Sequence, residues 1–568
     1  MPTELRPLSL LSRNKIGSHA TRRGITRLTV DVPAPSRASE EPKPARWNTP
    51  EFFFYYLVFL LAVPWMVCVP ILLSQPTHSN YGLYSHRLAP GWLFGRKFDN
   101  SDVQYRSFRS NIPALLAFLA IFFVLKAIYI RSAKLPSPTI PNRMHLLPFY
   151  TLFSLIMLAA LHGSSAMKVL AILCGNSAIT RIGKGAKWMV VATWIYNVAV
   201  LFANERYEGY RYGDISERFS FLDSFQGAYP RWHVTFNITM LRLVSFNMDY
   251  YWAHNRVGTP DVRSVLIYKQ RTTTSHPLHA YSFRNYLAYV LYPPLYIGGP
   301  IMTFNDWMWQ LERPAHVSMS STLRYMIRFL GTLAAMEFII HFMYVVAIKD
   351  AHAWIGDTPA ELSMIGFWNL IVVWLKLLLP WRFFRMWALF DGMDPPENMV
   401  RCMANNYSVF GFWRSWHRSY NLWIVRYIHI PLGGSKRVVL STLLVFTFVA
   451  LWHDLSLRLL AWGWLVTLFI LPELVARQTF TSAQFGDKWW YRHICALGAV
   501  ANVLMMMTAN LVGFAIGTDG MSYMASQIMG SWAGLRFFLC ACAALFVGVQ
   551  VMFEYREEEL RNGISRRC

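Results

Sequence analysis

Long apolar blocks alternate with shorter polar ones along most of the chain. The blocks fall at roughly 52–74, 112–130, 146–163, 165–180, 187–203, 234–248, 284–303, 322–348, 363–383, 438–455, 457–475, 492–515 and 531–553. Several approach the length of about 20 residues that a helix needs to cross a bilayer. Others are shorter or interrupted by Pro or Gly, which predicts tilted, kinked or re-entrant pieces. Pro300, beside Gly298 and Gly299, is expected to break one of them. The pattern predicts an all-α polytopic membrane protein with about 9–13 crossings. No repeat of 20–50 residues and no two-halves symmetry is visible.

The first 46 residues differ from the rest: polar, basic, rich in Arg, Ser and Pro. They lack the short apolar core of a cleaved signal peptide and read as a disordered tail. The first apolar block then serves as the insertion signal, and the basic tail favours a cytosolic N-terminus. Residues 47–568 read as one transmembrane domain.

Charge changes the picture only in part. The formal net charge of +23 would suggest nucleic acid on a soluble chain. Here 54% of residues are hydrophobic, and the basic ones sit in the tail and the loops. No nucleic acid is expected. Basic loops meet anionic membrane lipids, or hold the phosphates of a ligand such as coenzyme A. The seven cysteines form no C-x-x-C pair, and no cluster has zinc spacing. Cys68, Cys174, Cys495, Cys540 and Cys542 lie in apolar blocks and read as small core residues.

Between about 380 and 455 the chain stops behaving like simple crossings. The stretch "FWRSWHRSYNLWIVRYIHIPLGG", Phe412–Gly434, gathers polar groups amid apolar sequence. Read as a continuous helix, Trp413, His417 and Asn421 fall at i, i+4 and i+8 on one face, with Arg414 and Arg418 alongside. Pro431 and Gly433–Gly434 predict the end of that helix and a sharp turn. A fresh apolar helix of about 14 residues, some 21 Å long, then leads to His453 and Asp454. Membrane sequence flanks His453 on both sides. Such a residue either hydrogen-bonds between helices or does chemistry. A neutral imidazole in a low-dielectric site is a good general base for a hydroxyl attacking a carbonyl, and His417 is placed to orient or polarise. The absence of a G-x-S-x-G elbow favours direct transfer over an acyl-enzyme.

These residues resemble the membrane-bound O-acyltransferase superfamily, which pairs a polar residue in F-W-x-x-W-(H/N/D) with a histidine some 30–40 positions later; here these are His417 and His453. "WLFGRKFDNSDVQYRSFR", "YIGGPIMTFNDW", "AAMEFIIHF", "WALFDGMDPPENMVRC" and "FEYREEELRNGI" are similar to the fungal Gup branch, relatives of hedgehog acyltransferase. The resemblance implies a ring of tilted helices around a central tunnel, an endoplasmic-reticulum location and acyl-CoA as co-substrate. It implies re-acylation of the sn-2 hydroxyl of a lyso-GPI or lyso-phosphatidylinositol-type lipid during GPI-anchor remodelling. His453 is then the base and His417 the orienting residue. Trp413 and Trp416 wall the pocket beside Asn421, and Arg414, Arg418 or Arg426 meets phosphates. Hedgehog acyltransferase has an aspartate where this chain has His417, so the histidine favours a lipid acceptor. Its relatives also carry a haem-ligating cysteine 15 positions earlier, which corresponds to Cys402; the other reading is a structural cysteine. Two alternatives follow from the same branch: a protein palmitoyltransferase and a glycerol or polyol transporter.

Other polar residues in apolar blocks also have two readings. Glu337 and His341, at i and i+4, form a structural pair or line the tunnel. Arg242, Asn247 and Asp249 fit helix packing or the interface better than chemistry.

Overall fold

A computed structural model describes residues 43–133, 142–257, 268–315, 317–453 and 455–564. Nearly all of the tail and Asp454 lie outside the described residues. The chain is an all-α polytopic membrane protein. Among the described residues, eight helical segments are long and apolar enough to cross a membrane, and the shorter apolar helix Val439–His453 joins them. One of the eight, Met144–Gly183, is a pair of helices meeting at Gly163, whose φ of 57° suits a residue without Cβ.

Helix Pro50–Leu73 presents Phe53, Leu60 and Leu61 outward, as a lipid-facing helix must. Helix Pro359–Phe390 does the opposite. It starts on a capping box, Thr358 with Glu361, with Pro359 in the first turn, and most of its residues are buried. It forms the central pillar. Helix Trp232–His254 is also largely interior. That position lets it carry Arg242, Asn247 and Asp249 at membrane depth, each bonded to protein groups, with the Arg242 Nη2 left without a partner among the described residues. Arg242 donates to the Val290 carbonyl at 2.8 Å, and Asn247 joins a network with Asn176 and Thr193.

The block at 284–303 does not form a crossing. It breaks into Phe283–Val290 and Pro293–Tyr296, followed by irregular chain up to helix Phe304–Glu312. Pro293 and Pro294 cannot continue the first helix. A Cβ on Gly299 would lie 2.6 Å from the Leu295 Cα, so only glycine permits this chain path. Pro293, Pro294, Leu295 and Tyr296 are buried. Enclosure by protein, rather than lipid, is what makes irregular backbone tolerable at this depth.

A two-stranded hairpin, Leu88–Pro90 paired antiparallel with Lys97–Asp99, covers one end of the bundle. Glu337 anchors it. The carboxylate accepts from Arg109 at 2.7 and 2.9 Å, from Tyr105 at 2.8 Å and from Trp92 at 3.0 Å. His341 bonds through Nδ1 to the Glu337 carbonyl at 2.7 Å. The pair is structural, as the first of its two readings holds.

Candidate functional site

Residues 391–408 run between helices Pro359–Phe390 and Val409–Ser415 without regular structure, and most of them are buried. Specific bonds hold this segment. Arg401 makes a bidentate ion pair with Glu559 of the last helix, at 3.0 and 2.7 Å, and both side chains are buried. Asn398 accepts the Arg418 N–H on its carbonyl and the Ser419 N–H on its side chain. Glu473 accepts from the Ser408 hydroxyl at 2.6 Å and the Val409 N–H at 2.8 Å. The carboxylate thus satisfies free donors at a helix start.

The Trp413–Asn421 stretch is not one helix. Val409–Ser415 ends, Trp416 is extended, and His417 takes φ 42°, ψ 49° before Arg418–Ile424 begins. Left-handed backbone at a residue with Cβ costs roughly 1–2 kcal/mol. Such strain persists where surrounding contacts over-determine it. Here the contacts are aromatic. Trp381 stacks on the imidazole at 4.4 Å with planes 18° apart, Tyr420 lies at 5.1 Å and Trp452 at 6.5 Å. The predicted shared face is therefore replaced by a kink, yet Trp413, His417 and Asn421 still reach one cavity.

That cavity has a volume of about 2000 Å³ and is mostly apolar. Ordinary small-molecule pockets are about 300–1,000 Å³. The space suits a long chain together with a polar reactant. His453, the last residue of helix Val438–His453, is accessible on its wall. It has no hydrogen-bond partner among the described residues, unlike a histidine that bridges helices. His417 and His453 line the same cavity. Trp452 lies between them, 4.7 Å from His453, and Tyr420 stacks on Trp452 at 4.5 Å.

Trp413 packs edge-on against Phe446 and Trp462, and Trp416 stacks on Phe412. Both line the cavity, as do Arg414, Asn421 and Cys402. Arg418 and Arg426 do not. Arg426 is held by Asp249 at 2.8 Å and lies over Trp252 at 4.5 Å. Asp249 also accepts from Tyr427 and from the Asn305 N–H. This places Asp249 in packing, as expected, and takes Arg426 away from the pocket.

Sequence reasoning missed four residues at the site. Trp381 and Tyr420 frame His417, while Asn237 and Trp452 anchor the end of the helix that carries His453. Trp452 adjoins His453 in sequence; the other three had no signal beyond being polar or aromatic in apolar surroundings.

The described residues around Cys402 give no support to haem. Although Cys402 is exposed on the cavity wall, desolvation by the surrounding protein pushes its thiol up, which disfavours the thiolate that ligates iron. Its carbonyl accepts from the Asn405 N–H and the Asn406 side chain, which makes the residue part of a turn. Among the described residues, no group of three His, Cys, Asp or Glu side chains is arranged to hold a metal.

A histidine pair on the wall of a large, mostly apolar cavity, set among helices long and apolar enough to cross a membrane, marks a multi-pass membrane protein with an internal candidate site. Comparison with known proteins gives the family. Residues 219–518 match the model of MBOAT, the membrane-bound O-acyltransferase family. The chain is 45% identical over 550 residues to the membrane-bound O-acyltransferase GUP1 of Saccharomyces cerevisiae, covering 94% of this chain and 96% of that protein. It is 39% identical over 577 residues to gup1 of Schizosaccharomyces pombe, covering 99% and 96%. A more distant relative is the mouse protein-cysteine N-palmitoyltransferase HHAT, 27% identical over 249 residues, covering 41% of this chain and 50% of that one. This chain belongs to the membrane-bound O-acyltransferase family and is an acyltransferase.

Proposed function

We propose that the chain transfers a long acyl group from acyl-CoA to the sn-2 hydroxyl of a lyso-GPI or lyso-phosphatidylinositol-type lipid, in the endoplasmic-reticulum membrane. The observation that carries this reading is the placement of His417 and His453 on the wall of one large apolar cavity. His453 takes the proton as the acceptor oxygen attacks the thioester carbonyl. The tetrahedral intermediate collapses, the C–S bond breaks, and the CoA sulfur leaves with the proton that His453 returns. His417, pinned by Trp381, orients the acceptor or donates to the developing oxyanion. Trp413, Trp416 and Asn421 shape the pocket, and Arg414, which lines the same cavity, meets a phosphate.

The test uses purified protein in liposomes with radiolabelled acyl-CoA and lyso-GPI. Labelled diacyl product supports the reading. Label confined to polypeptide would replace it with protein acylation, the activity named for the mouse relative. Glycerol flux that survives His453→Ala, with no acyl transfer, would replace it with transport.

A further inference from the structure

A second, smaller cavity of about 420 Å³ lies apart from the histidine pair and shares no lining residue with the larger one. Four membrane helices end around it. Lys126 and Ile130 are near the C-terminus of helix Val103–Ser132, and Arg143, His145 and Leu146 precede helix Leu147–His162. Met319 and Thr322 open helix Met319–Phe342, while Leu389, Phe390 and Asp391 close Pro359–Phe390. Two helices arrive and two depart, so these ends share one face of the membrane. The cavity therefore sits at headgroup level, where hydrocarbon gives way to water.

Its chemistry is divided. Ile130, Val317, Met319, Leu389 and Phe390 supply an apolar wall. Arg143 and His145 supply the polar side, and Arg143 is built into place. Its N–H donates to the Leu311 carbonyl at 2.7 Å, and Nη1 donates to the Asp391 carbonyl at 2.9 Å. The guanidinium lies flat on Gly392, where a Cβ would meet Nη1 and Nη2 at 2.1 Å. Gly392 has φ 80°, which also favours glycine.

The carboxylate of Asp391 does not neutralise this arginine. It is bonded to Lys126 on one oxygen and to Tyr150 and Tyr292 on the other. Arg143 meets only the carbonyl of that residue, and among the described residues it makes no ion pair, so a positive charge faces the cavity. A fixed guanidinium with an imidazole nearby matches a phosphate. An apolar wall beside it matches acyl chains.

We infer that this cavity binds the phosphate of a membrane phospholipid, with its chains along Ile130, Val317 and Met319. The site is separate from the acyl-transfer cavity and does not depend on the substrate assignment. Its lipid bridges four helix ends and stabilises the bundle by binding only the folded state.

The experiment is native mass spectrometry and thermal melting of the full chain, purified in detergent and stripped of lipid. Three probes are added separately: phosphatidylinositol, diacylglycerol and inorganic phosphate. Phosphatidylinositol should bind and raise the melting temperature, and diacylglycerol, without phosphate, should not. In Arg143→Gln/His145→Gln, phosphatidylinositol binding should weaken by about tenfold or more. Met319→Trp, at an exposed position, fills the apolar side and should weaken binding without touching the charges. His453→Ala should retain it, since the second cavity is elsewhere. Binding unchanged in both Arg143→Gln/His145→Gln and Met319→Trp would overturn the inference. Equal stabilisation by inorganic phosphate would keep the phosphate site and overturn the lipid as its source.

Discussion

Asn237 and Trp452 exchange hydrogen bonds in both directions. The Asn237 side-chain amide donates to the Trp452 carbonyl at 3.2 Å, and the Trp452 indole donates to the Asn237 carbonyl at 2.9 Å. They are 215 residues apart in sequence. The pair fixes the end of helix Val438–His453 against helix Trp232–His254, one residue before His453. Replacing Asn237 by Ala removes one of the two bonds, worth about 0.6–2 kcal/mol between membrane helices. Turnover should fall by about tenfold, while KM for acyl-CoA changes little. Steady-state kinetics of Asn237→Ala beside Asn237→Gln checks this, and wild-type turnover in the Ala variant would remove the anchoring role.

His453→Ala should lose about 10²–10⁴-fold in turnover, the usual contribution of a general base. Its melting temperature should hardly move, because the imidazole has no hydrogen-bond partner among the described residues. Turnover and melting are measured on one preparation. A fall in melting temperature proportional to lost activity would return His453 to a structural role. His417→Ala should be the milder change, since water can replace part of an orienting group.

Trp381→Ala should release the His417 ring from its stack. Aromatic pairs contribute about 0.5–1.5 kcal/mol beyond area burial, so turnover should drop about threefold to tenfold. Trp381→Phe keeps a flat face and should restore most of it. Equal loss in both variants would argue against positioning by stacking.

Glu559→Ala leaves Arg401 buried without its carboxylate. Breaking a buried ion pair costs about 3–5 kcal/mol. The expected result is a large fall in melting temperature and loss of folded protein. Replacing both partners together, Arg401→Met with Glu559→Leu, should recover much of the stability. A double-mutant cycle on thermal melts reads the coupling.

Asp357, in the loop before helix Pro359–Phe390, has its carboxyl pushed up to about 6. Burial is the main cause; the nearby Glu361 adds to it, while His78 and the Asn80 hydrogen bond oppose it. The folded state therefore binds a proton more tightly than the unfolded chain. This group's stabilising contribution is present at low pH and is lost as pH rises from about 4 through about 6. Asp357→Asn should stabilise the protein at pH 7, by on the order of 1–3 kcal/mol, with the advantage disappearing near pH 4. Melting temperatures across that range provide the check. A variant less stable than wild type at pH 7 would contradict it.

Much of this protein was legible in its sequence. The hydrophobic blocks alone dictate a multi-pass helical bundle, because a bilayer accepts only self-satisfied backbone over that length. The turn at Pro431–Gly434 and the helix leading to His453 follow from local rules, and Gly433 and Gly434 do have positive φ. His417 and His453 stood out because ionisable groups are costly in lipid. Tertiary structure decided the rest. Periodicity assumes an unbroken helix, so it could not foresee the left-handed backbone at His417, which Trp381 and Tyr420 support from outside the local pattern. Arg426 looks like Arg414 in the sequence, but Asp249, 177 residues away, holds Arg426 away from the cavity that Arg414 lines. The apolar block at 284–303 met the composition of a crossing, yet it became buried irregular chain because other helices enclose it. Hydrophobicity specifies that a segment leaves water; whether lipid or protein then surrounds it depends on partners far along the chain.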